Sequence, residues 1–273
     1  AKILNMSQPP LSQRLKELED DLGVQLISRE GHTWQVTEAG RVLYERSRLL
    51  LDQLGDLASE VQNAADGASG NLRIGASSTC VTRFLKVLPG LRRRFPRLTY
   101  SLLISDSTNL GESVLSREVD FALLLLPVTV EGCTVHPLPS DNFSVVMAPE
   151  LDRPGLPPCL GVEHLEGMPL VCLRRWTGGG TYELLLKAFQ QHGIKPDIVL
   201  DTPDTRTVVA CLYQGLAAAA ILPASEVPYG ITERFPVHAL DLPGMAMHPA
   251  LVHLSDRYLT GTAREVIAAI LAG

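Results

Sequence analysis

The sequence predicts an α/β chain in three parts: a small helix-and-hairpin unit, one long helix, and a two-lobed α/β domain. Three observations predict it. Leu11, Leu15, Leu18 and Leu22 repeat at helical spacing behind a cluster of cap residues. Leu43, Ser47, Leu50, Leu54, Leu57 and Val61 fall at alternating spacings of four and three, a heptad seam. From Asn71 onward, strand-like and helix-like segments alternate to the end of the chain, the rhythm of βα units with parallel sheets.

The first helix is expected to start at Ser7, whose hydroxyl is placed to cap an orphan N–H. Pro9 and Pro10 suit the first turn, where a missing N–H costs nothing, and Gly23 suits the C-cap. The leucine stripe is expected to be buried. The opposite face shows Gln8, Ser12, Gln13 and Lys16, with Arg14 flanking, side chains suited to base edges and phosphates or simply to a solvated surface. Val24–Ile27 and Thr33–Val36 predict a β-hairpin about Glu30-Gly31-His32, with Arg29, His32 and Thr33 placed to meet phosphate or a minor groove, or to sit in a solvated turn. Thr37 is expected to cap the long helix. A helix of that length has no core of its own, so the same helix of a second subunit is its expected partner. The small, flexible run from Ala64 to Gly70 reads as a hinge.

Beyond the hinge, Asn71–Ala76 reads as a strand and Val81–Phe95 as a helix ending near Pro96. Leu98–Ser105 is a second strand, Leu110–Arg117 a second helix, and Val119–Leu126 an apolar run of parallel-strand type. Pro169–Leu173 then Tyr182–His192, and Asp197–Leu200 then Thr205–Gln214, continue the alternation. Ala218–Leu222 is another buried strand and Ala263–Ala272 the last helix. Crossings near Asn142–Pro149 and Leu240–Pro249 divide the domain into two lobes.

Bulk properties exclude several classes. At 273 residues and 45% hydrophobic, the chain suits two or three domains with substantial cores. No run of eighteen apolar residues reads as a membrane span, and the first residues do not read as a signal peptide. Five cysteines, an odd number without a CxxC, suggest a reducing cytoplasm and no metal site. A net charge of −6 argues against a non-specific polyanion binder, but not against a regulator with a few well-placed cations.

Ser77-Ser78-Thr79, Trp176–Thr181 and Thr202–Thr205 are polar stretches where strands end and helices begin, the places where an α/β fold collects small anions. Ser77, Ser78, Thr177 and Thr202 are the leading candidates, with Thr79, Gly178 and Thr181 behind them; each also suits a plain cap or turn. Of Arg174 and Arg175, strand alternation sends one toward any given face, where a guanidinium forks onto a carboxylate; two surface arginines are the alternative. Cys80, at an expected helix start, is expected to have an acidified thiol. No GxSxG, Walker loop or HExxH occurs, and no catalytic residue, metal or cofactor is expected.

The run from Asn5 to Arg29, NMSQPPLSQRLKELEDDLGVQLISR, closely resembles the helix-turn-helix of LysR-type transcriptional regulators, and Val36-Thr37-Glu38-Ala39-Gly40 resembles that family's junction between wing and linker helix. The resemblance runs more weakly to the C-terminus. It implies a winged helix-turn-helix at 1–36, a linker and dimerisation helix at 37–66, and a two-lobed effector domain similar to periplasmic solute-binding proteins. Lobe I would take 71–145 and 240–273, lobe II 146–239. Only Ala1–Met6 precedes Ser7, so the family's first helix is expected to be missing, and such a chain need not bind DNA even where the whole protein does. The implied function is a cytoplasmic, non-enzymatic regulator. It would bind double-stranded DNA as a homodimer or homotetramer, respond to a small effector, preferentially an anion, between its lobes, and have RNA polymerase as a candidate partner. Gln8, Ser12 and Gln13 would read bases, Pro9 and Pro10 touch thymine methyls, and Arg14, Lys16 and Arg29 hold phosphates. A bilobal solute-binding receptor without DNA binding is the alternative reading.

Overall fold

The computed structural model describes residues 7–28, 34–66, 69–175, 180–242, 244 and 246–273, and the chain divides into two compact units, Ala1–Val61 and Gln62–Gly273. The first unit contains α1 (Gln8–Leu22) and a two-stranded antiparallel pair, β1 (Ile27–Ser28) with β2 (Gln35–Val36). The long helix α2 (Glu38–Asp66) starts there.

Gly23 ends α1 in the left-handed region, φ 67°, with its N–H on Asp20 O and the Val24 N–H on Glu19 O, the paired bonds of a Schellman motif. The Glu19 carboxylate then accepts the N–H groups of Leu26 and Ile27 (2.7 and 3.0 Å), which fixes the turn into β1. Thr37 caps α2 as its sequence predicts: its hydroxyl accepts the Gly40 N–H at 3.0 Å and donates to Gln25 O at 2.7 Å. Gly40 is required by close approach, since a Cβ there would collide with the Leu26 carbonyl oxygen.

Two expectations for α1 are corrected. The Ser7 side chain makes no capping bond. The second and third helical residues are Pro9 and Pro10, so the N–H groups an N-cap hydroxyl would serve do not exist. Nor is the leucine stripe buried: no residue of α1 is, Leu11 and Leu15 are half-buried, and Leu18 and Leu22 are exposed. The described residues of this unit do not supply a core to cover it.

The second unit holds β3 (Ser69–Ala76), α3 (Val81–Arg94), β4 (Arg97–Ile104), α4 (Ser107–Leu115), β5 (Phe121–Leu125), β6 (Cys133–Pro137), β7 (Phe143–Met147), β8 (Cys159–Leu160), β9 (Pro169–Leu173), α5 (Thr181–Gln191), β10 (Asp197–Thr202), α6 (Thr205–Tyr213), β11 (Ala219–Pro223), β12 (Val237–Leu240), β13 (Pro249–Leu254) and α7 (Gly261–Ala272). They build a five-stranded sheet, β4-β3-β5-β13-β6, and a six-stranded sheet, β10-β9-β11-β7-β12-β8. Both are mixed rather than parallel. β13 runs antiparallel to β5 and β6, and β7 antiparallel to β11 and β12, because the chain crosses between lobes twice and enters each sheet against its neighbours.

The expected lobe boundary at 145/146 falls inside β7, all of which pairs within the six-stranded sheet. The second helix starts at Ser107 rather than Leu110, because the Asp106 carboxylate accepts the Thr108 and Asn109 N–H groups and so sets the start. It is closed before Arg117, which takes φ 60°.

Both sheets are covered on both faces, and this explains their continuous apolar runs. Along β5, Phe121 and Leu123 face one core with Phe84 and Ile267, while Ala122 and Leu124 face another with Leu110 and Val252. In β7, Phe143, Val145 and Met147 point to one side of the second sheet and Val146 to the other. Each such fully buried large side chain is worth about 1.5–3 kcal/mol.

Candidate functional site

The second unit carries a cleft between its two sheets with a cavity of about 410 Å³. Four helices open onto it by their N-termini: α3 and α4 from the first lobe, α5 and α6 from the second. Of the sequence candidates, Ser77, Ser78, Thr79 and Thr181 line the cavity. Thr202 does not; its hydroxyl accepts the Asp204 N–H at 3.3 Å and the chain turns so that Pro203 and Asp204 face the cleft instead. Thr177 and Gly178 lie outside the described residues, as do Arg29, His32 and Thr33 of the first unit.

Charge distinguishes the four helix mouths. Asp106 caps α4, and Asp204 caps α6 through the Arg206 and Thr207 amides. At α5 the Glu183 carboxylate reaches back to the Gly180 N–H at 2.6 Å. Only α3 among them has neither an acidic cap nor an acid in its first turn. It has the hydroxyls of Ser77, Ser78 and Thr79, with Ser77 and Thr79 bonded to each other at 3.0 Å. Three mouths thus hold an acid of their own segment, whereas at α3 the acid comes from elsewhere in the chain: the Glu226 carboxylate accepts the hydroxyl of Thr82, in the first turn of α3, at 2.8 Å.

Arg175 supplies a guanidinium to the same cavity. Its Nη2 donates to Leu125 O across the cleft at 2.8 Å. Burial holds its pKa below the ordinary arginine value, against the pull of Asp106, Cys80 and Glu183. Among the described residues no carboxylate lies within ion-pair distance of it. Arg174 behaves differently: it is exposed, pairs with Asp201 at 3.4 Å and lies over the Tyr182 ring. Arg206 pairs with Asp204 at 3.5 Å. Burial raises the Asp204 pKa, but bonds from the Thr207 hydroxyl and the Arg206 and Thr207 amides outweigh it and hold the carboxyl below its usual range.

The lobes touch beside the α3 mouth. Ser78 Oγ donates to Pro203 O at 2.7 Å, and Thr205 Oγ1 donates to Ser78 O at 3.2 Å. Cys80 is corrected: it is buried, and desolvation pushes its thiol up to about 11, so it is not acidified. A helix N-terminus lowers a thiol pKa only where the thiolate stays solvated. Sequence reasoning missed Ser105, Asp106 and Ser107. They form the same polar strand-to-helix signature as the stretches it found, obscured because the helix was started three residues late.

In the first unit, Gln8, Pro9, Pro10, Gln13, Arg14 and Lys16 are exposed on α1 and Ser12 is half-buried, so the polar ridge faces outward. Gln13 Nε2 donates to Glu17 Oε1 at 3.1 Å. On α2, Leu50, Leu54, Leu57 and Val61 are exposed and Leu43 half-buried.

The sequence profile of the LysR substrate binding domain matches residues 65–273, and that of the bacterial regulatory helix-turn-helix protein, lysR family, matches residues 1–41. The chain belongs to the LysR family of bacterial transcriptional regulators. Among LysR relatives, the HTH-type transcriptional regulator BsdA of Bacillus subtilis (strain 168) is 29% identical over 272 residues, 98% of this chain and 92% of BsdA. The LysR regulator CbnR, solved at full length complexed with its target DNA, matches with a TM-score of 0.67 at 20% identity over 100% of this chain and 91% of that one. A Corynebacterium glutamicum OxyR C206 mutant matches with a TM-score of 0.59 at 25% identity over 100% of this chain and 86% of that one. LysR membership makes the chain a regulator rather than an enzyme, and the helix-turn-helix match disfavours the receptor reading. Among the described residues no helix is long and apolar enough to cross a membrane.

Proposed function

We propose that this LysR regulator reads DNA with the exposed face of α1 and senses a small anion, a carboxylate above all, at the α3 mouth of its cleft. The observation that carries the reading is the cleft side of the α3 mouth: three hydroxyl residues lining the cavity, no acid in the helix's own cap or first turn, and Arg175 lining the same cavity. The anion would sit on Ser77, Ser78 and Thr79, with Thr181, and with Thr177 and Gly178 around it. Arg175 would fork onto it, exchanging its bond to the Leu125 carbonyl for a charge-assisted pair. Because that bond crosses between lobes, a ligand that takes it has different affinity for different lobe arrangements, the requirement for a ligand-driven switch.

On the DNA side, Gln8, Ser12 and Gln13 would meet base edges, Pro9 and Pro10 thymine methyls, and Arg14 and Lys16 phosphates, with Arg29, His32 and Thr33 contributing from the hairpin loop. The seam of Leu43, Leu50, Leu54, Leu57 and Val61 would pair two chains into a dimer or build a tetramer, in the cytoplasm, with RNA polymerase as the downstream contact. The corresponding division is 1–36 for DNA, 37–66 for pairing, β3 to β6 with β13 and α7 for lobe I, and β7 to β12 for lobe II.

The test is selection of genomic fragments by the intact regulator, followed by mobility shift of the best fragment with a panel of small carboxylates. A carboxylate that changes the shift, and a weaker shift for Gln13→Ala, are expected. An unchanged shift for Gln13→Ala removes α1 as the reader, and a panel without effect removes the anion.

A further inference from the structure

We propose that His136 and His253 form a two-histidine clamp for a divalent late-transition-metal ion, such as zinc or copper, on the outer part of the five-stranded sheet and away from the cleft. β6 is the edge strand of that sheet and β13 its neighbour. Register puts His253 opposite Thr134 and His136 opposite Leu251, so the two histidines share one face as a diagonal cross-strand pair. Both are half-buried.

Their rings are aligned for chelation. The two Nε2 atoms are 3.2 Å apart, while the ring centroids are 5.3 Å apart with 27° between planes. The rings therefore converge at their Nε2 edges. With metal–nitrogen bonds of about 2.0–2.1 Å, nitrogens at this separation subtend about 100° at a shared ion, close to a tetrahedral angle. His253 Nδ1 lies 2.9 Å from Leu254 O. A carbonyl only accepts, so that nitrogen carries the proton and the Nε2 lone pair is free for the metal, the supporting bond seen behind metal-bound histidines. Without an ion, His136 donates its Nε2 proton to that lone pair. With one, His136 keeps its single proton on Nδ1 and both lone pairs face the metal, so no net proton is released. Burial and the neighbouring His253 hold the His136 pKa below the ordinary histidine value, which favours the neutral ring a metal needs.

Among the described residues no third histidine, cysteine or carboxylate joins the pair. Thr134 and Ser255 are bonded to each other at 2.9 Å on the same strand pair. The rest of the shell is therefore water, and the site is open rather than a closed four-ligand structural site.

Isothermal titration of the intact chain with zinc chloride tests this. One bound ion is expected, with affinity lowered in both His136→Ala and His253→Ala by at least the roughly tenfold that loss of a supporting bond alone costs. His192→Ala and Cys159→Ser should leave it unchanged. Paramagnetic resonance of the wild-type chain loaded with copper(II) gives a readout that needs no variant: coupling to two imidazole nitrogens is expected. Zinc affinity indifferent to both histidine substitutions, no zinc binding at all, or copper coupled to fewer than two imidazoles overturns the proposal.

Discussion

The α3 and α6 mouths face each other across the cleft, joined through Ser78 and Pro203, yet they are built oppositely. At α6 the chain supplies its own anion: Asp204 accepts the Arg206 and Thr207 amides and the Thr207 hydroxyl and pairs with Arg206. At α3 the cap and first turn hold hydroxyls and no acid of their own, and a carboxylate from another segment, Glu226, bonds Thr82 instead. The contrast separates two uses of one physical feature. A positive helix terminus is a stabilising device when its own cap carboxylate occupies it, and keeps room for an anion on the side where its own residues are neutral donors. Position in the fold does not tell them apart, since both mouths sit at the carboxyl ends of strands.

Making α3 resemble α6 is the strongest way to break this contrast. Ser78→Asp places a carboxylate at the α3 mouth, and a like charge about 4 Å from a bound anion costs about 4 kcal/mol at an effective dielectric near 20. Carboxylate binding, followed calorimetrically, is expected to fall by at least about a hundredfold in a chain whose circular dichroism is unchanged. Retained binding would show that the anion does not sit at α3.

Arg175→Gln sharpens the same contrast from the other lobe. It keeps a donor for the Leu125 carbonyl but removes the charge. A charge-assisted bond is worth about 1.5–3 kcal/mol, so carboxylate affinity is expected to drop about ten- to hundredfold. Arg174→Gln, whose parent guanidinium is committed to Asp201 and Tyr182, should cost far less. Equal losses in the two variants would remove the special place given to Arg175.

Asp204→Ala probes the α6 side, where the expected effect is on stability. Loss of an N-cap carboxylate costs about 1 kcal/mol in denaturant unfolding at neutral pH. The Asp204 pKa is depressed in the folded chain, so the unfolded chain binds its proton more readily. The carboxylate's contribution is thus complete above the unfolded aspartate pKa and fades as pH falls through the lower folded value. The gap between Asp204→Ala and wild type should shrink across that acidic window. A gap constant with pH would mean that the cap works through shape rather than charge.

The sequence made the α3 mouth legible because three consecutive hydroxyl residues between an apolar strand and an amphipathic helix leave little else to read. Arg175 was half-legible. Alternation says that adjacent residues diverge, but which of the two arginines faces the cleft depends on the opposing lobe, where Leu125 offers its carbonyl. Asp106 was obscured by a late helix start, and the strands β6, β8, β12 and β13 were missed as strands because they are short or lie at lobe crossings. Cys80 misled in a different way: its place at a helix start is visible in the sequence, its burial is not. Ser7 is the reverse case, since Pro9 and Pro10 already announce that the hydroxyl has nothing to cap.

Local order was written in the chain itself. The leucine spacing of α1, the Gly23 stop, the Thr37 cap and the alternating βα rhythm each follow from neighbours within a few positions, where backbone hydrogen bonding and helical or strand period act. Tertiary structure alone decided the mixed direction of the sheets, the choice between Arg174 and Arg175, the placement of Thr202 outside the cavity, and the convergence of His136 with His253. These depend on residues up to 117 positions apart, and desolvation and cross-strand register come into being only when such segments pack.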